Sequence, residues 1–224
     1  NGKTYYSKNG GEKIKAFSDG VSELRLPQGA ANMRRTCYLA TSSLLNQVYA
    51  LSSGDSKYLY MVKGELETTK IDGSNITLSS SGDKLISRKN GDLILTEKLG
   101  AEPKTKPLTD DADVYNFCAD SSLTHIYYMD SEDTLYYQKG SGKAKKIADD
   151  ISGDSLTMGA DGTAYFISDG TLYTSAKGSA KAAVKVAGAD DIYECMAMGK
   201  YVYCSDGNDV FYIAPSGGKF VELG

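Results

Sequence analysis

An all-β repeat fold is what this sequence predicts, and three observations carry the prediction. The first is a pattern written nearly three times across residues 124–223. His125-Ile126-Tyr127-Tyr128-Met129-Asp130 leads to Thr134-Leu135-Tyr136-Tyr137, then Ala164-Tyr165-Phe166-Ile167-Ser168-Asp169 to Thr171-Leu172-Tyr173, then Tyr201-Val202-Tyr203-Cys204-Ser205-Asp206 to Asp209-Val210-Phe211-Tyr212. Tyr127, Tyr165 and Tyr203 thus recur 38 residues apart, a period that marks a repeat architecture. The second is the aromatic bias, 17 Tyr with 5 Phe and no Trp, since Tyr favours pleated, half-buried positions. The third is the balance of 24 Gly to 4 Pro, which suits many tight hairpins and few rigid linkers.

Taken in order, the chain opens with half a unit at 1–17: Thr4-Tyr5-Tyr6-Ser7, a turn at Asn9-Gly10-Gly11, then an extended run at 13–17. Residues 18–35 read as a longer excursion before the first complete unit, containing Pro27-Gln28-Gly29 and Arg34-Arg35. Five full units follow, at 37–71, 75–108, 115–147, 155–186 and 192–223, each with four short runs. In the first the runs are 37–42, 47–51, 57–61 and 67–71; in the second, 75–79, 84–88, 93–97 and 104–108, with Asn90-Gly91 as a hairpin turn. The third has 115–119, 125–129, 134–138 and 144–147; the fourth, 155–159, 164–167, 171–175 and 183–186; the fifth, 192–198, 201–205, 209–214 and 219–223. The run at 183–186 lies in an Ala-rich stretch whose own preference is helical, yet the period places a strand there. No linker or composition break divides the chain, which reads as one domain over 1–224.

Four short antiparallel strands per unit of about 40 residues, several units in series, is the signature of a β-propeller. One such sheet has two apolar faces and seals both only between neighbours. That accounts for adjacent aromatics such as Tyr127-Tyr128 and Tyr136-Tyr137, one for each neighbouring sheet. A sandwich with one wet face would instead alternate apolar and polar residues. Five full blades plus the N-terminal hairpin favour a six-position ring, with a five-bladed ring and an extra hairpin as the alternative.

Composition narrows the function classes. The net charge is −4, and the basic residues are dispersed lysines with only Arg25, Arg34, Arg35 and Arg88 among them, which speaks against a nucleic-acid footprint. No run reaches the roughly 20 apolar residues of a membrane-spanning helix. The chain starts at Asn1 without a Met, so a mature product or a piece cut free of its targeting segment is expected.

The runs Ile126-Tyr127-Tyr128-Met129-Asp130 with Thr134-Leu135-Tyr136-Tyr137, Ala160-Asp161-Gly162-Thr163-Ala164-Tyr165-Phe166 and Val202-Tyr203-Cys204-Ser205-Asp206 resemble the Tyr-rich repeats of low-density-lipoprotein-receptor-like or TolB-like propellers from secreted or membrane-anchored proteins of Gram-positive bacteria. The resemblance covers 47–223 and departs from the Tyr-Trp-Thr-Asp and Trp-Asp repeat types, since Trp is absent. It implies an extracellular or cell-surface module tethered by an upstream membrane helix, and it carries over no functional residue.

Chemistry has few places to reside. His125 is the one histidine and opens a predicted strand, so a zinc site is not expected and a structural or surface role is favoured over that of a triad base. The acidic runs Asp110-Asp111-Ala112-Asp113, Asp130-Ser131-Glu132-Asp133 and Asp149-Asp150 lack the spacing of a calcium loop and suit turns, where Asp bonds its own backbone. No metal or cofactor is expected. Cys195 and Cys204 flank a turn at Met198-Gly199-Lys200-Tyr201 and count as cross-strand partners, candidates for a disulfide or, as the alternative, two small buried residues side by side. Loops that run into the innermost strands form a shallow face in propellers, and Arg34, Arg35 and Tyr38, with Asp120 after another innermost run, are the candidate ligand-binding residues. The expected function is a non-catalytic extracytoplasmic module that binds a protein or glycan. The alternative is a carbohydrate-active hydrolase with a carboxylate pair at the channel mouth.

Overall fold

The computed structural model describes residues 3–7, 14–19, 21–25, 49–52, 57–62, 65–70, 74–79, 83–98, 102–153, 155–159, 161–184, 186–187, 191–198, 201–206, 210–213, 218–219 and 221–222. Among them every regular element is a strand. The chain divides into two compact units, 1–87 with 95–106, and 88–94 with 107–224.

In the first unit, β1 (Lys3–Ser7) pairs antiparallel with β2 (Ile14–Asp19), as the half-unit predicts. Next come β3 (Val21–Arg25), β4 (Tyr49–Ser52), β5 (Lys57–Val62) and β6 (Glu65–Lys70). Here the structure differs from expectation. The strand paired with β4 is β3, inside the stretch read as an excursion, while the innermost run expected at 37–42 lies outside the described residues. Val21, Glu23 and Arg25 sit two apart in a short extended run, and such a segment can take the free side of β4 whatever the repeat spacing suggests. β5 and β6 form a hairpin in continuous register from Lys57↔Lys70 to Val62↔Glu65.

A four-stranded sheet follows: β7 (Ser74–Leu78), β8 (Lys84–Lys89), β9 (Asp92–Glu97) and β10 (Lys104–Pro107), hydrogen-bonded in the order β7-β8-β9-β10. Asn90 and Gly91 both take positive φ (51° and 85°), the geometry a two-residue hairpin turn needs.

The second unit holds the clear repeats. β11 (Val114–Ala119), β12 (His125–Asp130), β13 (Leu135–Lys139) and β14 (Lys145–Ala148) form one four-stranded antiparallel sheet in sequence order. β15 (Thr157–Met158), β16 (Thr163–Ser168), β17 (Thr171–Ala176) and β18 (Ala182–Ala183) form the next. The Ala-rich run is extended, as the period predicts, but it breaks in two: β18 closes its own sheet, and β19 (Val186–Ala187) pairs in parallel with β23 (Gly218–Lys219). β20 (Glu194–Met198), β21 (Tyr201–Ser205), β22 (Val210–Ile213) and β24 (Val221–Glu222) form the last sheet.

Alternation sorts the side chains between neighbours. One core cluster joins Cys118, Tyr127, Met129, Leu135, Ala148 and Ile151 to Leu156, Ala164 and Phe166 of the following sheet. The next joins Tyr165, Ile167, Leu172 and Val184 to Ile192, Val202 and Cys204. Consecutive residues Tyr165 and Phe166 thus face opposite ways, each into a sealed layer, as the paired aromatics predict. The same division shows on β12 and β13, where Tyr127 meets Tyr137 with ring centroids 5.1 Å apart and Tyr128 stacks on Tyr136 at 5.2 Å.

At Tyr127, one copy of the repeating tyrosine, the hydroxyl also fastens sheet to sheet. Tyr127 is fully buried. Its hydroxyl donates to the Ser175 carbonyl and accepts from the Gly178 amide, both at 2.7 Å. Burial raises its pKa above the ordinary phenol value. A buried hydroxyl left without partners would cost about 1–3 kcal/mol, so the turn at 177–179 must come to this one point.

Candidate functional site

The chain passes three times from the end of one sheet into the first strand of the next within the second unit, and each passage is built alike. A buried aliphatic residue donates its amide to the central hairpin turn of the preceding sheet: Val114 to the Gly91 carbonyl at 2.6 Å, Ile151 to Asp133 at 3.1 Å, Ile192 to Gly170 at 2.8 Å. An aspartate precedes each of them: Asp113, Asp150 and Asp191. Two of these crowd a glycine. A Cβ on Gly91 would stand 3.3 Å from Asp113 Cα, and one on Gly170 would stand 2.6 Å from Asp191 Oδ1. Apolar anchoring and backbone bonding together fix where the innermost strand begins.

One carboxylate from each acidic run is taken up in this construction. Asp130 Oδ1 accepts from the Glu132 and Thr134 amides at 3.0 and 2.9 Å. Asp113 Oδ2 accepts from the Ser131 hydroxyl, and the Asp113 carbonyl accepts from the Ser131 amide. Asp92 Oδ1, at the hairpin of the sheet before, accepts from Thr109 Oγ1 and the Ala112 amide. Asp149 takes the Thr134 hydroxyl and the Lys146 ammonium, and its bond to Lys146 holds its carboxyl below the usual range. Among the described residues, no three His, Cys, Asp or Glu side chains gather closely enough to hold a metal ion.

Two of the three passages leave a tyrosine facing water. Tyr115 is 49% exposed and Tyr193 is 59% exposed. They occupy equivalent places: Cys118 pairs with Tyr127 and Met196 with Tyr203, and each exposed tyrosine lies three residues before that partner. In the middle passage the residue after Ile151 is Ser152, exposed but not aromatic, and Asp154, three before the Thr157 partner of Tyr165, is outside the described residues. The Tyr115 backbone is held from two sides. Arg88 Nη1 donates to the Val114 and Tyr115 carbonyls at 3.2 and 2.8 Å, and Asn116 Nδ2 donates to the Gly153 carbonyl at 3.3 Å. The Tyr115 ring lies over Gly153, where an added Cβ would touch it at 3.5 Å. The Tyr115 passage thus seats an exposed ring against Gly153, with the Arg88 guanidinium bonded to its backbone, while Tyr193 is exposed with its amide bonded to the Ser205 carbonyl.

The residues singled out from sequence fare differently. Arg34, Arg35 and Tyr38 lie outside the described residues. Asp120 stands beyond the far end of β11 from Tyr115 and so does not join that face. Its Oδ1 accepts from the Thr124 and His125 amides and its Oδ2 from the Ser122 hydroxyl, because the turn between β11 and β12 leaves those donors with no strand partner. His125 is structural, as expected: its Nδ1 and the Tyr137 hydroxyl are hydrogen-bonded at 2.7 Å and the rings stack. Cys195 and Cys204 face each other in register, as counted from the turn, and both are free thiols. Sequence reasoning missed Tyr115 and Tyr193 as surface groups, although their shared context, Asp113-Val114-Tyr115 and Asp191-Ile192-Tyr193, is a readable signal: the aliphatic residue is buried, so the residue after it turns outward.

No family model and no curated protein matches the chain. Solved structures do. A virginiamycin B lyase from Staphylococcus aureus is 15% identical with a TM-score of 0.55, over 79% of this chain and 66% of that one. A streptogramin B lyase is 15% identical at a TM-score of 0.55, over 92% of this chain and 74% of that one. A nidogen/laminin complex contains a chain 15% identical at 0.53, over 90% of this chain and 80% of its own. The chain therefore spans just under two thirds of the first lyase. At these identities the likeness concerns fold alone, and with the all-β four-stranded sheets it makes this chain a β-propeller-like protein.

Proposed function

We propose that this chain is a non-catalytic, extracytoplasmic binding module that engages a protein or glycan through the face where its innermost strands begin. The observation that carries this is the repeated exposure of Tyr115 and Tyr193 at equivalent positions. Rigid aromatic rings supply large contact area at small entropic cost, and tyrosine and arginine are enriched among residues that dominate binding energy. Arg34, Arg35 and Tyr38, candidates from sequence alone, are a separate extension of this reading. The nidogen chain solved with laminin is an example of a propeller-like fold used for binding. The arrangement we propose is a six-position ring of five sheets and the N-terminal hairpin, tethered outside the cytoplasm. The hydrolase alternative gains no support. Of the carboxylates near this face, Asp92, Asp113, Asp130 and Asp149 are engaged in turns and in the bond to Lys146.

The test is a glycan array together with a panel of immobilised extracellular-matrix proteins, laminin included, probed with the wild-type chain and the Tyr115→Ala/Tyr193→Ala double variant. A ligand bound by the wild type and weakened about tenfold or more in the variant supports the face. Equal binding by both chains removes it, and alanine at Arg34 and Arg35 then asks the same of the extension.

A further inference from the structure

Cys195 and Cys204 stand directly opposite one another on β20 and β21. Cys204 belongs to the core cluster of Tyr165, Ile167 and Val202, and Cys195 packs against that same cluster, so both side chains leave the sheet on one face. Opposed residues of an antiparallel pair have Cα atoms about 4.5–5.5 Å apart, inside the roughly 4.4–6.8 Å a disulfide spans. A third thiol, Cys118, is near enough to interact electrostatically with Cys195, but it sits in the preceding cluster with Tyr127 and Phe166. Register and shared face therefore favour Cys204 as the partner. The Cys195 thiol meanwhile donates to the Ser155 carbonyl at 2.9 Å. Ser155 lies just before β15, and its hydroxyl donates to the Ser152 carbonyl and accepts from the Ile167 amide. That S–H bond ties the last sheet to the core of its neighbour.

We infer that Cys195 and Cys204 form a redox-convertible pair, oxidised to a cross-strand disulfide by a low-molecular-weight disulfide such as oxidised glutathione. Cys195 is the more solvent-accessible of the two, so the oxidant reaches its sulfur first. Its thiolate attacks one sulfur of the oxidant, and a glutathione thiolate leaves. The Cys204 thiolate then attacks the Cys195 sulfur, and the second glutathione leaves. Two protein S–H bonds are lost, one S–S bond is made in the protein and one broken in the oxidant, and the two protons pass to the departing thiolates. Burial pushes the Cys204 thiol up to about 12 and the Cys195 thiol well above its ordinary value, so both start protonated and exchange is slow at neutral pH. Oxidation withdraws the donor from the Ser155 carbonyl, so a covalent bond gained within one sheet is a hydrogen bond lost between two. This inference is independent of the binding reading.

The native chain is incubated with oxidised glutathione at pH 8.5, quenched in acid, alkylated with N-ethylmaleimide under denaturing conditions and digested with trypsin. Cleavage after Lys200 separates the two cysteines into peptides 186–200 and 201–219. The expected product is these two peptides linked, lighter by two hydrogens than their sum. It is retained in Cys118→Ser and absent from Cys195→Ser and Cys204→Ser. Alkylation of both cysteines after oxidation, or a link from either to Cys118 or Cys37, overturns the inference. Because the wild-type map alone separates these results, a variant that folds poorly does not blunt the test.

Discussion

A single hydroxyl and a single missing side chain set the tightest constraints in the second unit. Tyr127→Phe keeps the ring but leaves the Gly178 amide facing an apolar edge. A loss of about 1–3 kcal/mol is expected, read as a lower denaturant midpoint with unchanged slope. Gly178→Ala should cost more. That glycine has φ of +79°, and a Cβ there falls within the Tyr137 ring, so backbone strain and collision add. Ionisation belongs to the same scale. Burial pushes the Tyr165 phenol and the Cys204 thiol up to about 12 from ordinary values of 10.0 and 9.0. The folded chain therefore holds these protons more tightly than the unfolded one. Their effect on stability is nil below the unfolded values; stability falls as pH climbs from about 9 towards 12. Chemical denaturation at stepped pH should show a midpoint insensitive to these groups between pH 7 and 9 and declining steadily above 10. A flat midpoint up to pH 11 would contradict the burial of both groups.

Strands and the passages between them have their own liabilities. Ile192 is 3% exposed, anchors the approach to β20 and donates its amide to the Gly170 carbonyl. Ile192→Ala keeps that amide bond and opens a cavity, so about 2–5 kcal/mol is expected. Hydrogen exchange should rise at Ile192 and along β20 before it rises in β12. The outer strands face a different hazard. β10 is exposed along its whole length as Lys-Thr-Lys-Pro, and its lysines lie on a sheet edge. Charged edges discourage pairing with another chain, and Lys106 also meets Glu97 at 3.7 Å. Lys104→Val with Lys106→Val should change stability little and raise the aggregated fraction in light scattering at high concentration. The repeat was legible at this scale because strand pairing follows local patterning. Where it misled, at 18–25, a short segment of ordinary composition took a pairing edge, and no period in the chain encodes that choice.

Over residues 107–224, stability is shared rather than owned by each sheet. The sheet of β15–β18 contributes Ala164 and Phe166 to one core and Tyr165, Ile167 and Leu172 to the next. A chain ending at Lys185 would strip the second core of Ile192, Val202 and Cys204 and expose its apolar half. Such a chain should bind a hydrophobic dye at neutral pH and unfold over a broadened, earlier transition, as nearest-neighbour coupling in repeat folds requires. A sharp transition at the wild-type midpoint would show that the sheets are independent.

Some of this protein was determined by sequence alone: strands rather than helices, four to a sheet from residue 74 onward, the cross-strand partners of the hairpins there, and aromatic pairs divided between two layers. Those features follow from a two-residue side-chain period and from turn chemistry, both local. The candidate site was decided only in three dimensions. Asp120 looked available until its carboxylate was found closing a turn, and Tyr115 and Tyr193, read only as members of strand runs, are turned outward after the buried aliphatic before each. Whether a side chain is spent or offered depends on which distant backbone groups it meets, and that is a property of packing.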